Sequence, residues 1–382
     1  VLIISSTSDF SVKEIANAHS LKDYVGSNSV AFFCFFILII SSICFFLLLF
    51  LVSLVSTNLT FGYSFLIFAS VFTLSLISIS ASMVRGLGYA ILGQAINIVI
   101  FPSMFLFAVC LSIFGNIQVS SDAGFNALIF RLAAGFFGAI FSTFILVYLW
   151  PSKIIKVAQS TFRQEWLMPA FNFLKVGLFG SLGRQAGIFL LALIATISAV
   201  AEYRIVLLGI SIFEQISIVG VVILQASFAQ GNILDNSGYF KNKIFEVYLP
   251  IFLISLFGLL VFIFAGRYII SIVFGKNFEG VYWPLMIAMV SHVANLIFGP
   301  VGIFMTMRGH AKTVGTNLML ALLANILISS FLIYHFGIIG ASLGFAFGIL
   351  IFNILSLRSC LNILNFNPSL WSAVQCKLNK NQ

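Results

Sequence analysis

The stretch AFFCFFILIISSICFFLLLFL, from Ala31 to Leu51, holds no charged residue and no alternation of apolar with polar positions. A strand of a membrane barrel alternates over roughly 10 residues, whereas an apolar helix crosses the hydrocarbon in about 20. The stretch therefore reads as a membrane helix. Asp, Glu, Lys and Arg are likewise absent from 24–84, 86–121, 132–152, 247–266, 280–307 and 313–357. The longer of these runs must fold back once each. Over the 382 residues, 61% are hydrophobic and 8% charged, with a mean hydropathy of +1.15. An average soluble domain carries about 25% charge, so a soluble enzyme, a nucleic-acid binder and a disordered chain are excluded. The formal net charge of +9 is scattered along the chain rather than gathered into one patch, so no nucleic acid is expected as a partner.

The chain is an all-α polytopic membrane protein for which ten spans can be drawn. They fall at about 31–56, 64–84, 90–114, 127–150, 172–198, 205–227, 247–266, 283–306, 314–334 and 338–357. Thr57-Asn58-Leu59-Thr60 and His335-Phe336-Gly337 split the two longest uncharged runs. This gives an N-terminal segment 1–30, a first lobe 31–150, a linker 151–171, a second lobe 172–357 and a tail 358–382. Loops on one side hold thirteen Lys and Arg, while the other side holds Arg204, Arg267 and Lys276. The positive-inside rule then puts both ends of this chain in the cytoplasm. The five cysteines (Cys34, Cys44, Cys110, Cys360 and Cys376) form no CxxC pair. No disulfide framework, metal or cofactor is expected.

Arg85-Gly86, with Gln94 nine residues after the Arg, is echoed six spans later by Arg308-Gly309, with Asn317 nine after. Two similarly oriented halves of six spans each would have this form, with a central cavity where the lobes meet. Six spans per half also implies two further spans ahead of residue 31.

Small residues and turns in 274–357 carry a family resemblance. Phe274-Gly275 precedes a span, Gly299-Pro300 lies within it and Gly309 follows in the next loop. Asn317 and Asn325 come next, then Gly337-x-x-Gly340-Ala341 leads into the last span. With Ala201-Glu202-Tyr203 as a short turn connecting spans five and six, this pattern resembles the Wzx-type flippases of the MOP exporter superfamily. The resemblance covers roughly 170–360 well and the first half in outline. It implies about twelve spans in two pseudo-repeated lobes. The implied task is moving a polyprenyl-pyrophosphate-linked oligosaccharide from the cytoplasmic to the outer leaflet of the bacterial inner membrane, for O-antigen, lipopolysaccharide or capsule assembly. Membrane lipid, a polysaccharide polymerase and a chain-length regulator are the implied partners. This sequence departs from the family twice. His335-Phe336 stands where a Pro often precedes the hairpin glycine, and Ile188-Phe189-Leu190 occupies the region of a frequent Asp.

An Arg or Lys at mid-membrane costs about 2.5–3.5 kcal/mol on insertion scales, so such residues face a cavity or a partner. Arg184, half-way along span five, is a substrate-binding candidate, with an ion pair to Glu214 as the alternative. Arg131 shares a face with Gly135 and Gly138 and either lines the cavity or snorkels to the interface. Lys175, near the start of span five, has the same two readings. Glu214 stands on a stripe with Ser211, Ser217, Val221 and Gln225, fitted to ion coupling or to pairing with Arg184. Arg85 and Arg308 either meet the pyrophosphate at the cytoplasmic face or merely set orientation. His292, Asn295, Gly299 and Gly302 form a polar, small face more suited to a helix contact than to a site.

Two rival functions bear on these residues. A cation-coupled multidrug exporter of the same superfamily would want acids in the first lobe, where spans one to four have none. A polysaccharide polymerase or another membrane enzyme would want catalytic loops. The outer loops hold only Asp122, Glu202 and Glu279 as acids and no DxD, so enzymatic activity is not expected.

Overall fold

The computed structural model describes residues 2–55, 61–114, 123–150, 164–229 and 233–380. Every regular element among them is helical. Among the described residues, ten helices are long and apolar enough to cross a membrane, and they match the ten expected spans one to one. The Thr57–Thr60 turn and most of the 151–171 linker lie outside the described residues.

The chain divides into two compact units, 1–170 and 171–382. The first contains α1 (Leu2–Ser20), α2 (Tyr24–Val55), α3 (Phe61–Gly86), α4 (Ala90–Ala95), α5 (Phe101–Phe114) and α6 (Ala123–Leu149). A π-helical turn at Ile96–Ile100 joins α4 to α5. Residues 1–30, expected as a segment ahead of the lobe, instead form α1 and the start of α2. Phe10, Val12, Ile15 and Ala16 of α1 are fully buried. Ser11 Oγ lies 2.6 Å from Ser82 Oγ of α3, and Ser8 Oγ lies 3.1 Å from Ser78 Oγ. Ile15 occupies the space that a side chain at Gly86 would need.

With lipid as apolar as leucine, helices associate through close packing of small residues rather than through a hydrophobic drive. In the first unit this brings Gly135 of α6 against Thr73 of α3, and Gly138 against Ile77. The shared face anticipated for those two glycines is thus a helix contact.

The second unit runs through α7 (Leu167–Ile194), α8 (Ile197–Ala229), α9 (Ile233–Val273), α10 (Tyr282–Phe298), α11 (Val301–Met305), α12 (Ala311–Phe336), α13 (Ile338–Leu364) and α14 (Leu370–Lys380). α7 begins four residues inside the first unit. Two expectations are corrected here. The turn placed at Ala201-Glu202-Tyr203 lies within α8, and the chain reverses at Ala195–Thr196 instead. Burial is the cause: Tyr203 is only 1% exposed, with its ring lodged against Gly187 of α7. The eighth span, drawn to 306, ends at Phe298. There Gly299 takes φ +71°, a left-handed value suited to glycine, and Pro300 begins the next segment. His292 and Gly302 therefore do not share one helix face.

α12 and α13 form an antiparallel hairpin around Gly337 (φ +53°). Gly340, Gly344 and Gly348 of α13 face Leu332, Ser329 and Asn325 of α12, with no room for a β-carbon. Overpacking at such a point costs about 1–3 kcal/mol. Gly344→Leu should therefore lower the thermal unfolding midpoint in detergent by several degrees. Gly280→Ala, where nothing lies within 4 Å of the added carbon, should leave it unchanged. Scanning fluorimetry of the two variants checks this.

Candidate functional site

The two-residue reversal at Ala195–Thr196 makes α7 and α8 an antiparallel hairpin. Tyr203 of α8 packs on Gly187 of α7, and one helical turn further from the reversal Arg184 of α7 and Leu207 of α8 border the same hollow. Both Arg184 and Arg204, with Gln185, Ser211 and Glu214, line this hollow of about 650 Å³. A second hollow of about 660 Å³ adjoins it and is lined by Arg184, Glu214, Ser217, Tyr248, His292 and Asn295. A third, of about 410 Å³, extends from Arg184 towards Gly183, Asn325 and Gly348. Arg184 thus stands where three hollows of the second unit meet.

No ion pair within 4 Å joins Arg184 to Glu214 among the described residues. The two share a cavity without forming a closed bridge. Arg184 is exposed to it and Glu214 is half-buried. The stripe on α8 points the same way, since Ser211, Glu214, Ser217 and Val221 all line these hollows. Gln225, the last of the stripe, is buried.

Hydrogen bonds of side chains from neighbouring helices fix the walls. Ser217 Oγ and His292 Nε2 lie 3.2 Å apart, joining α8 to α10. Asn353 Nδ2 of α13 donates to Asn295 Oδ1 at 2.7 Å. Asn325 Nδ2 donates to the Gly183 carbonyl at 3.0 Å, and Asn325 Oδ1 accepts from Ser329 Oγ at 2.8 Å. His292 and Asn295 make the helix contacts expected of them, and they also line the cavity. Asn317 Nδ2 donates to Ser356 and Ser359, both at 3.3 Å, and serves only to join α12 to α13.

The remaining candidates lie elsewhere. Lys175 packs its ammonium 4.8 Å from the Phe171 ring centre, one turn earlier on α7. Arg131 is an exposed residue of α6 in the first unit. Arg85 is 8% exposed, with Nη1 3.5 Å from Gln94 Oε1 and its stem against Gly93. Arg308 stacks over Phe240 at 4.8 Å and Phe304 at 5.9 Å. The Arg–Gly echo therefore has two different local roles: Gln94 answers its arginine, whereas Asn317 bonds α13.

Sequence reasoning missed Arg204 and Tyr248. Arg204 was placed beyond the end of span five because Tyr203 was read as a turn. The usable signal was Gly187, a glycine in mid-span that admits an aromatic ring.

No family model matches this chain, and no curated protein does. Solved structures do match. A MATE crystal structure superposes with a TM-score of 0.72 at 14% identity, covering 100% of this chain and 86% of the other. An outward-facing multidrug resistance MATE family transporter of the MOP superfamily gives 0.69 at 15%, again with 100% and 86% covered. A MOP superfamily transporter from Pyrococcus furiosus, described as having a binding pocket of reverse polarity that suggests a different function, gives 0.65 at 14%, with 95% and 85% covered. At such identities the likeness establishes a fold shared with these structures.

Cysteines placed at Gln185 and Leu207 should be bridged by a short bifunctional thiol reagent, whereas a cysteine at Val219 should not be reached from 185. Gly187→Leu, which expels the Tyr203 ring, should reduce the first bridge several-fold. A turn at 201–203 would instead favour the second pair.

Proposed function

We propose that this chain moves an amphiphilic anion across the bacterial cytoplasmic membrane by alternating access. The cargo in this reading is a polyprenyl-pyrophosphate-linked oligosaccharide repeat unit bound for surface polysaccharide. The observation that carries the reading is the convergence of Arg184 and Arg204 on one hollow that contains a single acid, Glu214. Guanidinium groups match pyrophosphate in charge and in two-pronged geometry. A cationic group costly to bury in lipid is tolerable only where water or an anion reaches it.

The rest of the wall suits a sugar. Ser211, Ser217, Tyr248, His292 and Asn295 offer hydrogen-bonding groups, and Phe345 offers an aromatic face. The prenyl tail stays in the hydrocarbon, and no bond is broken, so the work needs no nucleophile or metal. A polymerase and a chain-length regulator would then act on the exported units.

A cation-coupled multidrug exporter is the second reading. Glu214 near the Ser217–His292 contact favours it, as does the multidrug resistance transporter among the structural neighbours.

Deletion of the gene followed by complementation separates the two. The flippase reading expects complete lipid-linked repeat units to accumulate and surface glycan to vanish. Wild type should restore the glycan. Arg184→Ala at equal expression should restore it at least about tenfold less, roughly 1.4 kcal/mol of lost stabilisation, with Arg184→Lys intermediate. The drug reading expects intact glycan, sensitivity to lipophilic cations and loss of resistance in Glu214→Gln. Incomplete units in the deletion would overturn both.

A further inference from the structure

Beyond the last span the chain turns back on its own unit. Only residues 365–369 separate α13 from α14, a reach of at most about 18 Å, so α14 is tethered close to the end of the last span. Its inner side packs on α9 and α10, with Leu370, Ser372 and Ala373 buried. Phe366 is 3% exposed, and its ring stacks on Phe304 at 4.7 Å and meets Phe240 at 6.4 Å. The Pro368 carbonyl and the Ser369 Cα stand where a side chain at Gly299 would go. Gly299 lines the 660 Å³ hollow together with Arg184 and His292. The tail therefore clamps the α10–α11 break where it borders that cavity.

The outer side of α14 is apolar yet uncovered. Trp371 is 66% and Leu378 61% exposed, and they share one face with Gln375. Lys377 flanks this face. Lys241 and Lys243 follow Phe240 two turns into α9, Lys243 donating to Ser227 Oγ at 3.2 Å and lying over the Tyr239 ring, with Glu246 one turn further on. α9 has 41 residues and a length of about 61 Å, twice the hydrocarbon thickness of about 30 Å. It therefore carries this cluster out to the headgroup layer. An exposed face of Trp371 and Leu378 with Lys377 at its flank, on a helix packed against that end of α9, fits a lipid headgroup layer that holds anionic lipid.

We infer that residues 365–380 are a lipid-responsive strap. α14 lies in the headgroup layer with Trp371 and Leu378 inserted, and through Phe366 and Pro368 it holds the Gly299–Pro300 break closed on the cavity.

Two measurements on the full chain test this, and neither depends on the cargo. With Trp150, Trp166 and Trp283 changed to Phe, Trp371 reports its own depth. In vesicles of phosphatidylcholine with about a third phosphatidylglycerol, lipids brominated near the headgroup should quench it several-fold more than lipids brominated near the chain ends. Quenching by aqueous acrylamide alone would overturn the insertion. In a background with the five native cysteines replaced by Ala, a cysteine at Ile218 reports access to the cavity. Trp371→Ser with Leu378→Ser spares the packed side of α14 and should speed maleimide labelling at 218 at least about threefold. Phe366→Ala should do the same. Equal labelling rates in all three proteins would overturn the strap, even if Trp371 proved to be inserted.

Discussion

One hydrogen bond organises the second unit: Asn325 Nδ2 to the carbonyl of Gly183, at 3.0 Å. A carbonyl in a membrane helix ordinarily accepts only from its own helix, and an amide side chain in that setting needs a partner. Asn325 satisfies both demands by bridging α12 to α7 at the residue before Arg184. It stands there tightly against Gly348 of α13, which has no side chain, and its one side-chain oxygen accepts from Ser329 Oγ. The glycine stripe of α13, the polar positions of α12 and the placement of the central arginine are therefore one arrangement. Disturbing any member moves the guanidinium.

The first unit uses the same economy with different residues. Serine hydroxyls pair across α1 and α3, and glycines of α6 admit Thr73 and Ile77. Arg85 is enclosed against Gln94 and Gly93 rather than displayed, so its charge fastens the α3–α4 corner. By contrast, the arginines of the α7–α8 hairpin stand open in a cavity.

Composition settled the class of fold and the number of spans, because twenty uncharged apolar residues have no other stable home. What escaped sequence reading were the ends of helices. Ala201-Glu202-Tyr203 has the polarity of a turn, and only the fit of Tyr203 against Gly187 makes it helix. Gly299-Pro300 sits inside an uncharged run, so hydropathy passes over a break that tertiary packing with Pro368 requires. These two shifts account for most of what was misplaced at the site. Moving the reversal to Ala195–Thr196 brings Arg204 beside Arg184, and ending α10 at Phe298 turns a presumed helix stripe into a cavity wall. Arg184 and Glu214 were legible because a charge in a long apolar run has few explanations. Their separation without an ion pair was not, since it depends on side-chain reach across a hairpin.

The two-residue reversal also bears on how the protein is made. α7 carries Lys175 and Arg184, and α8 carries Glu202, Arg204 and Glu214. Released singly into lipid, each helix would bear the insertion cost of its charges, about 2.5–3.5 kcal/mol apiece near the centre. Inserted together, the two helices bring Arg184, Arg204 and Glu214 to one common hollow. The geometry that gathers Arg184 and Arg204 at one hollow is thus also what suits these helices to enter the membrane as a pair.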